Sequence, residues 1–355
     1  MSAPAVHDLS RAAIESVDPS GQLVDVLDMP NHLRDALWRV ESAGMQPLDA
    51  RGGLIVAGMG GSAVGGALAR AALGDRASRP ILAVRGYELP PWTTPDTAVL
   101  CSSYSGTTEE TLACYEAASA LGSPRVVATT GGRLAELARA DGVPVIPLPG
   151  GFQPRASVGY TTVAALEVAA LCGAAPQLHS EIDVAAAHAE QLAAEWGPEG
   201  ADHNLAKSLA RALHGTVPQV AGAGPTSAVA YRWKTQINEN AKMPAFSHEL
   251  PELDHNEVVG WSAASELGRF SAVFLDDSDL HPRTRRRIQL TRDVVESAAA
   301  ATFLVQTRGV SRTERVLSLV LLGDLVSVYL AALRGVDPAP VDVIDRLTAR
   351  LVDGR

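Results

Sequence analysis

The chain has 355 residues, 46% hydrophobic and 20% charged, a mixture that can bury a sizeable core and is long enough for two domains of ordinary size. Its formal charge of −10 gains nothing from counterion release, which argues against nucleic acid as a partner, although a local cradle of N–H groups and hydroxyls can still hold an anion. Cys101, Cys114 and Cys172 are scattered, offer neither a disulfide framework nor a zinc spacing, and read as small buried hydrophobes.

Met1–Ser20 lacks a basic start followed by an apolar stretch, so no signal peptide is expected and a cytosolic location follows. Leu33–Ala43 has a helical pattern. Leu54–Ala57 is a short β-type run, followed by a glycine loop and a small-residue helix to about Leu73. Ile81–Val84, Ala98–Ser102, Arg125–Ala128 and Pro144–Ile146 read as strands, with helices over Thr107–Leu121 and Arg133–Ala140. This alternation predicts βαβ units and a mainly parallel sheet. After a Gly/Pro-rich break at Pro147–Pro154 come helical patterns at Thr161–Cys172, Val184–Trp196 and Asn204–Leu213. The alternation then restarts: strand Val217–Ala221, helix Ser227–Glu239, strand Phe270–Leu275, helix Pro282–Ala298, strand Ala301–Val305, helices Glu314–Leu333 and Val341–Leu351. The apolar stretch Val316–Ala332 is interrupted by Asp324 and slightly short for a membrane span, so it reads as a buried helix and no membrane partner is expected. The plan is two successive α/β sandwiches, residues 1–178 and 179–355, with the boundary near 175–182.

Two loops carry candidate chemistry in the first unit. Gly58-Met59-Gly60-Gly61-Ser62-Ala63 fits the dinucleotide pattern G-x-G-x-x-A. That pattern wants an acid after the second strand, where Val84-Arg85-Gly86 stands; Arg85 suits a 2′-phosphate, so a nucleotide-dependent oxidoreductase stays open. The second loop, Ser102-Ser103-Tyr104-Ser105-Gly106-Thr107-Thr108-Glu109-Glu110, places several hydroxyls at a helix N-terminus, where anions are favoured. A dinucleotide has no need of that hydroxyl density, whereas a phosphate monoester has three oxygens to satisfy. A capping box, Thr107-x-x-Glu110, accounts for Thr107 and Glu110 but leaves Ser103, Ser105 and Thr108 unexplained. The loop therefore points to the phosphate of a phosphosugar.

In the second unit, Trp233–Gly260 gathers two histidines and five acids. It has no His-x-x-x-His and no Cys partner, so no metal is expected. A solvated loop is the bland reading, against which Pro244, Phe246, Leu250 and Leu253 tie the segment down.

Gly58–Gly65, Ser103–Thr111, Pro154-Arg155-Ala156, Asn238-Glu239-Asn240-x-Lys242, Leu253-x-His255-Asn256-Glu257 and Asp337–Pro340 occur in this order. Together they resemble the motifs of bifunctional phosphoglucose/phosphomannose isomerases, members of the sugar isomerase (SIS) superfamily with two SIS domains per chain. The resemblance implies two SIS-type three-layer α/β/α sandwiches. It also implies an aldose–ketose isomerase linking glucose 6-phosphate and/or mannose 6-phosphate with fructose 6-phosphate through a cis-enediolate, with no cofactor. Gly61, Ser62, Ser103, Ser105 and Thr108 match the positions that hold the sugar phosphate. Arg155 matches an arginine near the reacting carbons and Glu239 the catalytic base. His255 matches the histidine that assists ring opening and that comes from the partner subunit, so a homodimer is implied.

These residue types suit the chemistry. A carboxylate in a partly dry pocket can move a proton between C2 and C1. A fixed guanidinium stabilises the charge that develops on the enediolate oxygen. A histidine can shuttle the ring-opening proton near neutral pH. The family's last helix usually carries a lysine; here the stretch is Ile344-Asp345-Arg346-Leu347-Thr348, with Thr348 at the lysine position and the planar, permanently charged Arg346 and Arg350 near by. Thr348 motivates an alternative, a catalytically impaired or regulatory phosphosugar-binding protein. An isomerase for a longer phosphosugar is a further alternative.

Overall fold

Two parallel sheets organise the chain in a computed structural model that describes residues 8–353. The first seven residues of the Met1–Ser20 stretch, with which the 1–178 unit opens, and the last two of the 179–355 unit lie outside the described residues. Helices α1 (Arg11–Glu15), α2 (Gln22–Leu27) and α3 (Met29–Ser42) precede β1 (Gly53–Gly58) and α4 (Gly60–Leu73). Then come β2 (Ile81–Val84), β3 (Thr97–Ser102), α5 (Glu109–Leu121), β4 (Arg125–Thr129), α6 (Gly132–Ala140), β5 (Val145–Pro147) and α7 (Val158–Leu171). The strands pair in parallel in the order β2-β1-β3-β4-β5. Successive strand residues point to opposite faces, and β1 uses both. Leu54 and Val56 join a core with α3, α4 and α7, whereas Ile55 and Ala57 join one with α5 and α6. The result is three layers.

The second half repeats the plan with α8 (His179–Trp196), α9 (Leu205–Leu213), β6 (Val217–Ala223), α10 (Ser227–Ala241), β7 (Phe246–Leu250), α11 (Ala264–Leu267), β8 (Phe270–Asp276), α12 (Pro282–Val295), β9 (Ala301–Gln306), α13 (Arg312–Arg334) and α14 (Asp342–Asp353). Its parallel sheet runs β7-β6-β8-β9. Val220, Val273 and Leu275 face α9, α10 and α13, while Ala221, Ala272 and Phe274 face α12 and Trp261. Strand β7 lies in the Trp233–Gly260 segment, which the sequence ties down through Phe246 and Leu250 without predicting a strand. It is an edge strand, paired on one side only, and its Ser247, His248 and Glu249 give no hydrophobic signal.

The apolar helix is a core element: the stretch of α13 long enough to cross a membrane is wholly buried inside the protein. It packs on α10 so closely that a Cβ on Gly323 would lie 2.2 Å from Trp233 Nε1. Trp233 in turn donates to Leu319 O at 2.7 Å. The halves interlock around this helix. Leu9 ahead of α1, Ile14 of α1 and Leu23 of α2, with Val64 and Leu68 of α4, lie in the core of the second half. Ile182, Ala185 and Ala186 of α8 lie with Leu317 in that of the first.

Candidate active site

Ligands of open parallel sheets sit beyond the carboxyl ends of the strands. There, Gly58 at the end of β1 is in register with Ser102 at the end of β3, so the glycine loop and the hydroxyl loop leave the sheet side by side. Gly61 is required by close approach: a Cβ would lie 2.9 Å from Pro154 O and 3.1 Å from Arg155 Cα. The glycine loop thus rests on the turn that carries Arg155. A second tie runs from the hydroxyl loop, where Tyr104 Oη accepts from Phe152 N at 2.9 Å. Gly61, Ser103 and Arg155 are therefore placed by three segments that lock one another.

Within the hydroxyl loop the side chains bond each other. Ser103 Oγ lies 2.8 Å from Thr108 Oγ1 and accepts from Gly106 N at 3.1 Å, while Ser105 Oγ accepts from Thr107 N at 3.2 Å and Thr107 Oγ1 at 3.0 Å. The capping box does not form: Thr108 is the N-cap of α5, and neither its side chain nor that of Thr107 caps the helix. Ser62 and Ser103 are buried, Ser105 is exposed, and the buried hydroxyls of Ser102 and Thr111 beside the loop have no hydrogen-bond partner. Buried hydroxyls without partners are uncommon and mark a place where a further acceptor or donor fits.

Arg155 is 3% exposed, and burial lowers its pKa, partly countered by Glu239. Its Nε donates to Asn240 Oδ1 at 2.6 Å, Nη1 to Gln153 Oε1 at 3.3 Å, and Nη2 to the carbonyls of Pro338 and Ala339 at 2.6 and 2.9 Å. Arg232 Nη2 holds its carbonyl at 3.0 Å, and Arg232 is itself paired with Asp324 of α13 at 2.7 and 2.9 Å. A guanidinium held on so many sides cannot swing. The carboxylate of Glu239, in the last turn of α10, lies 3.6 Å from Arg155 Nη1 and is 28% exposed. Lys242 follows in a left-handed conformation, φ +53, which turns its ammonium back onto Glu239 O and onto Pro338 O at 2.8 Å. Burial, then the Arg155 charge, lowers its pKa.

Glu239 and Lys242 line a cleft of about 600 Å³ together with Met243, Pro244, Pro340 and the start of α14, including Arg346. A carboxylate backed by a fixed guanidinium in such a cleft is equipped to take and return a proton beside a developing oxyanion. His255 does not line this cleft. It is exposed, in a turn held by Asp254, whose carboxylate accepts from Thr291 Oγ1 at 2.6 Å and Arg287 Nη1 at 3.1 Å. Ser62, Ser103, Ser105 and Thr108 lie outside the cleft lining and connect to it through the Phe152–Arg155 segment.

A relative from Caldicellulosiruptor bescii, a bifunctional phosphoglucose/phosphomannose isomerase, is 39% identical over 84% of this chain and 89% of its own. One of the same description from Aquifex aeolicus is 35% identical over 84% and 90%. The chain belongs to the bifunctional phosphoglucose/phosphomannose isomerase family. Residues 202–351 match the family model of the bacterial phospho-glucose isomerase C-terminal SIS domain. The solved glucose-6-phosphate isomerase like protein of Thermus thermophilus superposes with a TM-score of 0.62 over 96% of this chain and 98% of that one, at 19% identity, which establishes the shared fold.

Gln153 helps to orient Arg155 and has no place in the sequence analysis, because an amide in a loop carries no signal of its own. Asn240, which also orients Arg155, and Lys242 stand in a family-like motif without a role; a lysine just past a helix is ordinary until its φ is known. Thr348 donates its hydroxyl to Ile344 O at 3.1 Å within its own helix and lies outside the cleft, whereas Arg346 lines it.

Proposed function

We propose that the chain is a cytosolic, homodimeric aldose–ketose isomerase that interconverts glucose 6-phosphate and/or mannose 6-phosphate with fructose 6-phosphate. The observation that carries the reading is the carboxylate of Glu239, which lines the cleft, held against the buried, immobile Arg155, whose turn is tied to the hydroxyl loop. Gly61, Ser62, Ser103, Ser105 and Thr108 hold the phosphate, with binding energy remote from the reacting carbons. Glu239 removes the proton from C2 and returns it at C1. Arg155 stabilises the cis-enediolate oxygen as its charge grows. His255 of the second subunit moves the proton of the ring oxygen. The same reading divides the chain into two SIS domains, 1–178 and 179–355. The impaired alternative raised by Thr348 has no observation of its own in its favour.

The test is a coupled assay on purified protein with both aldose phosphates. Turnover is expected, and Glu239→Gln is expected to reduce kcat by about 10³-fold while KM changes little, because the carboxamide keeps the shape but cannot accept the proton. No turnover of either hexose at high enzyme concentration would sink the reading.

A further inference from the structure

The cations of the cleft differ in how much hydrogen-bonding capacity they keep. Arginine carries five N–H donors and lysine three. Arg155 gives four of its donors to Asn240, Gln153, Pro338 and Ala339. Lys242 gives two of its three to the carbonyls of Glu239 and Pro338. Both are inner cations, committed to holding the end of α10 against the Asp337–Pro340 segment. Arg346 is different. It lines the same cleft from α14 and, among the described residues, makes no hydrogen bond or ion pair. It shares the lining with Glu239, Lys242, Asp342, Val343 and Ile344, and it is exposed, so its guanidinium is free to meet a ligand that enters beside Glu239.

We propose that Arg346 is a second substrate-contacting cation beside Arg155, donating its N–H fork to the oxygens of the reacting carbons as the enediolate charge develops. This rests on the isomerase reading above and adds a catalytic residue to it. Glu239 takes the proton from C2 as the C1 carbonyl oxygen gains the electron pair, the C2 hydroxyl proton passes to that oxygen, and Glu239 returns its proton to C1 as the C2 carbonyl forms. Arg346 exchanges no proton; it neutralises the oxygen that carries the charge between the two transfers. Arg155 fixes the inner side of that charge and Arg346 closes on it from the outer side.

The test compares wild type with Arg346→Ala, Arg346→Lys and, as a control for charge on the same helix, Arg350→Ala. Turnover is measured on both aldose phosphates. Binding is measured by calorimetry for two probes: a phosphorylated sugar hydroxamate, whose planar anionic head imitates the enediolate, and a phosphorylated alditol, which carries the same phosphate without that charge. Arg346→Ala is expected to lose about 10²-fold in kcat and in hydroxamate affinity, with alditol affinity unchanged. Arg346→Lys should recover part of the loss, as should guanidinium ion added to Arg346→Ala, and Arg350→Ala should behave as wild type. Wild-type kcat and hydroxamate affinity in Arg346→Ala, or an equal loss for both probes, overturns the proposal. If wild type turns over neither hexose, the isomerase reading falls, and the difference between the two probes still decides the role of Arg346.

Discussion

Asp25 shows how much a single carboxyl depends on its fold. It projects from α2, where burial, then the neighbouring Asp18 and Asp28, push its carboxyl up to about 6. Asp18 is bound to that position, since its two oxygens accept from Gln22 N at 2.9 Å and Leu23 N at 2.7 Å. A raised carboxyl favours the folded state only while it is protonated. That advantage is present below the ordinary value of 3.8 and is lost as pH rises through about 6. At neutral pH Asp25 therefore costs stability, and Asp25→Asn is expected to gain about 1–2 kcal/mol there, with no gain below about pH 4. Urea unfolding at both pH values measures it; an equal gain at both would show that the effect is not ionisation. Nothing in the sequence around Asp25 reveals this, because the cause is the approach of Asp18 and Asp28 in space. Glu239 and Arg155 stand out in the sequence for the opposite reason. The roles proposed for them travel with short motifs, whereas the 3.6 Å contact between them depends on α10 and the Phe152–Arg155 turn meeting.

Among the elements, α13 carries the most consequence. Its apolar run and the interruption at Asp324 were readable, and a buried helix was the right inference. The reason for the interruption was not readable, since Arg232 lies on another helix 92 residues away. Asp324 is fully buried, and burial raises its pKa even though Arg232 and Gln236 bond the charged form. Removing one partner of such a pair leaves the other charge buried alone. Asp324→Ala is expected to destabilise by about 3–5 kcal/mol, measured by chemical denaturation. Because Arg232 also holds the carbonyl of Arg155, kcat should fall even in the fraction that stays folded. A loss of stability near zero would mean that Arg232 finds another acceptor. Strand β7 is the contrasting case. Its existence follows from the edge of β6 needing a partner, a demand made by the sheet and not by the residues of β7.

At the scale of the molecule, the two halves share a plan but not a site. β8 occupies in the order β7-β6-β8-β9 the place that β3 holds in β2-β1-β3-β4. Where β3 ends in hydroxyls, β8 ends in Asp276 and Asp277. Asp277 is held by Arg315 Nε and Thr307 Oγ1, each at 2.9 Å, and Asp276 by Arg285 at 3.2 Å. Carboxylates already paired with arginines do not recruit a phosphate, so the reading proposed above puts the phosphate at the first sheet and the proton transfer where Glu239 meets Arg155. The second half contributes Glu239 to that contact and lines the adjoining cleft with Lys242 and Arg346, while His255 faces outward on its surface. If His255 serves the cleft of a second subunit, each dimeric site combines Glu239 of one chain with His255 of the other. Glu239→Gln and His255→Ala proteins, each inactive alone, would then restore one another when unfolded and refolded together. In a mixed dimer, one site carries both substitutions and the other carries neither. Random pairing makes half of the dimers mixed, so about a quarter of wild-type activity should return. If His255 acted within its own chain, every site would keep one defect and mixing would restore nothing. The complementation assay therefore separates a shared site from a self-sufficient one, and it requires a dimer whose subunits exchange their histidines across the interface.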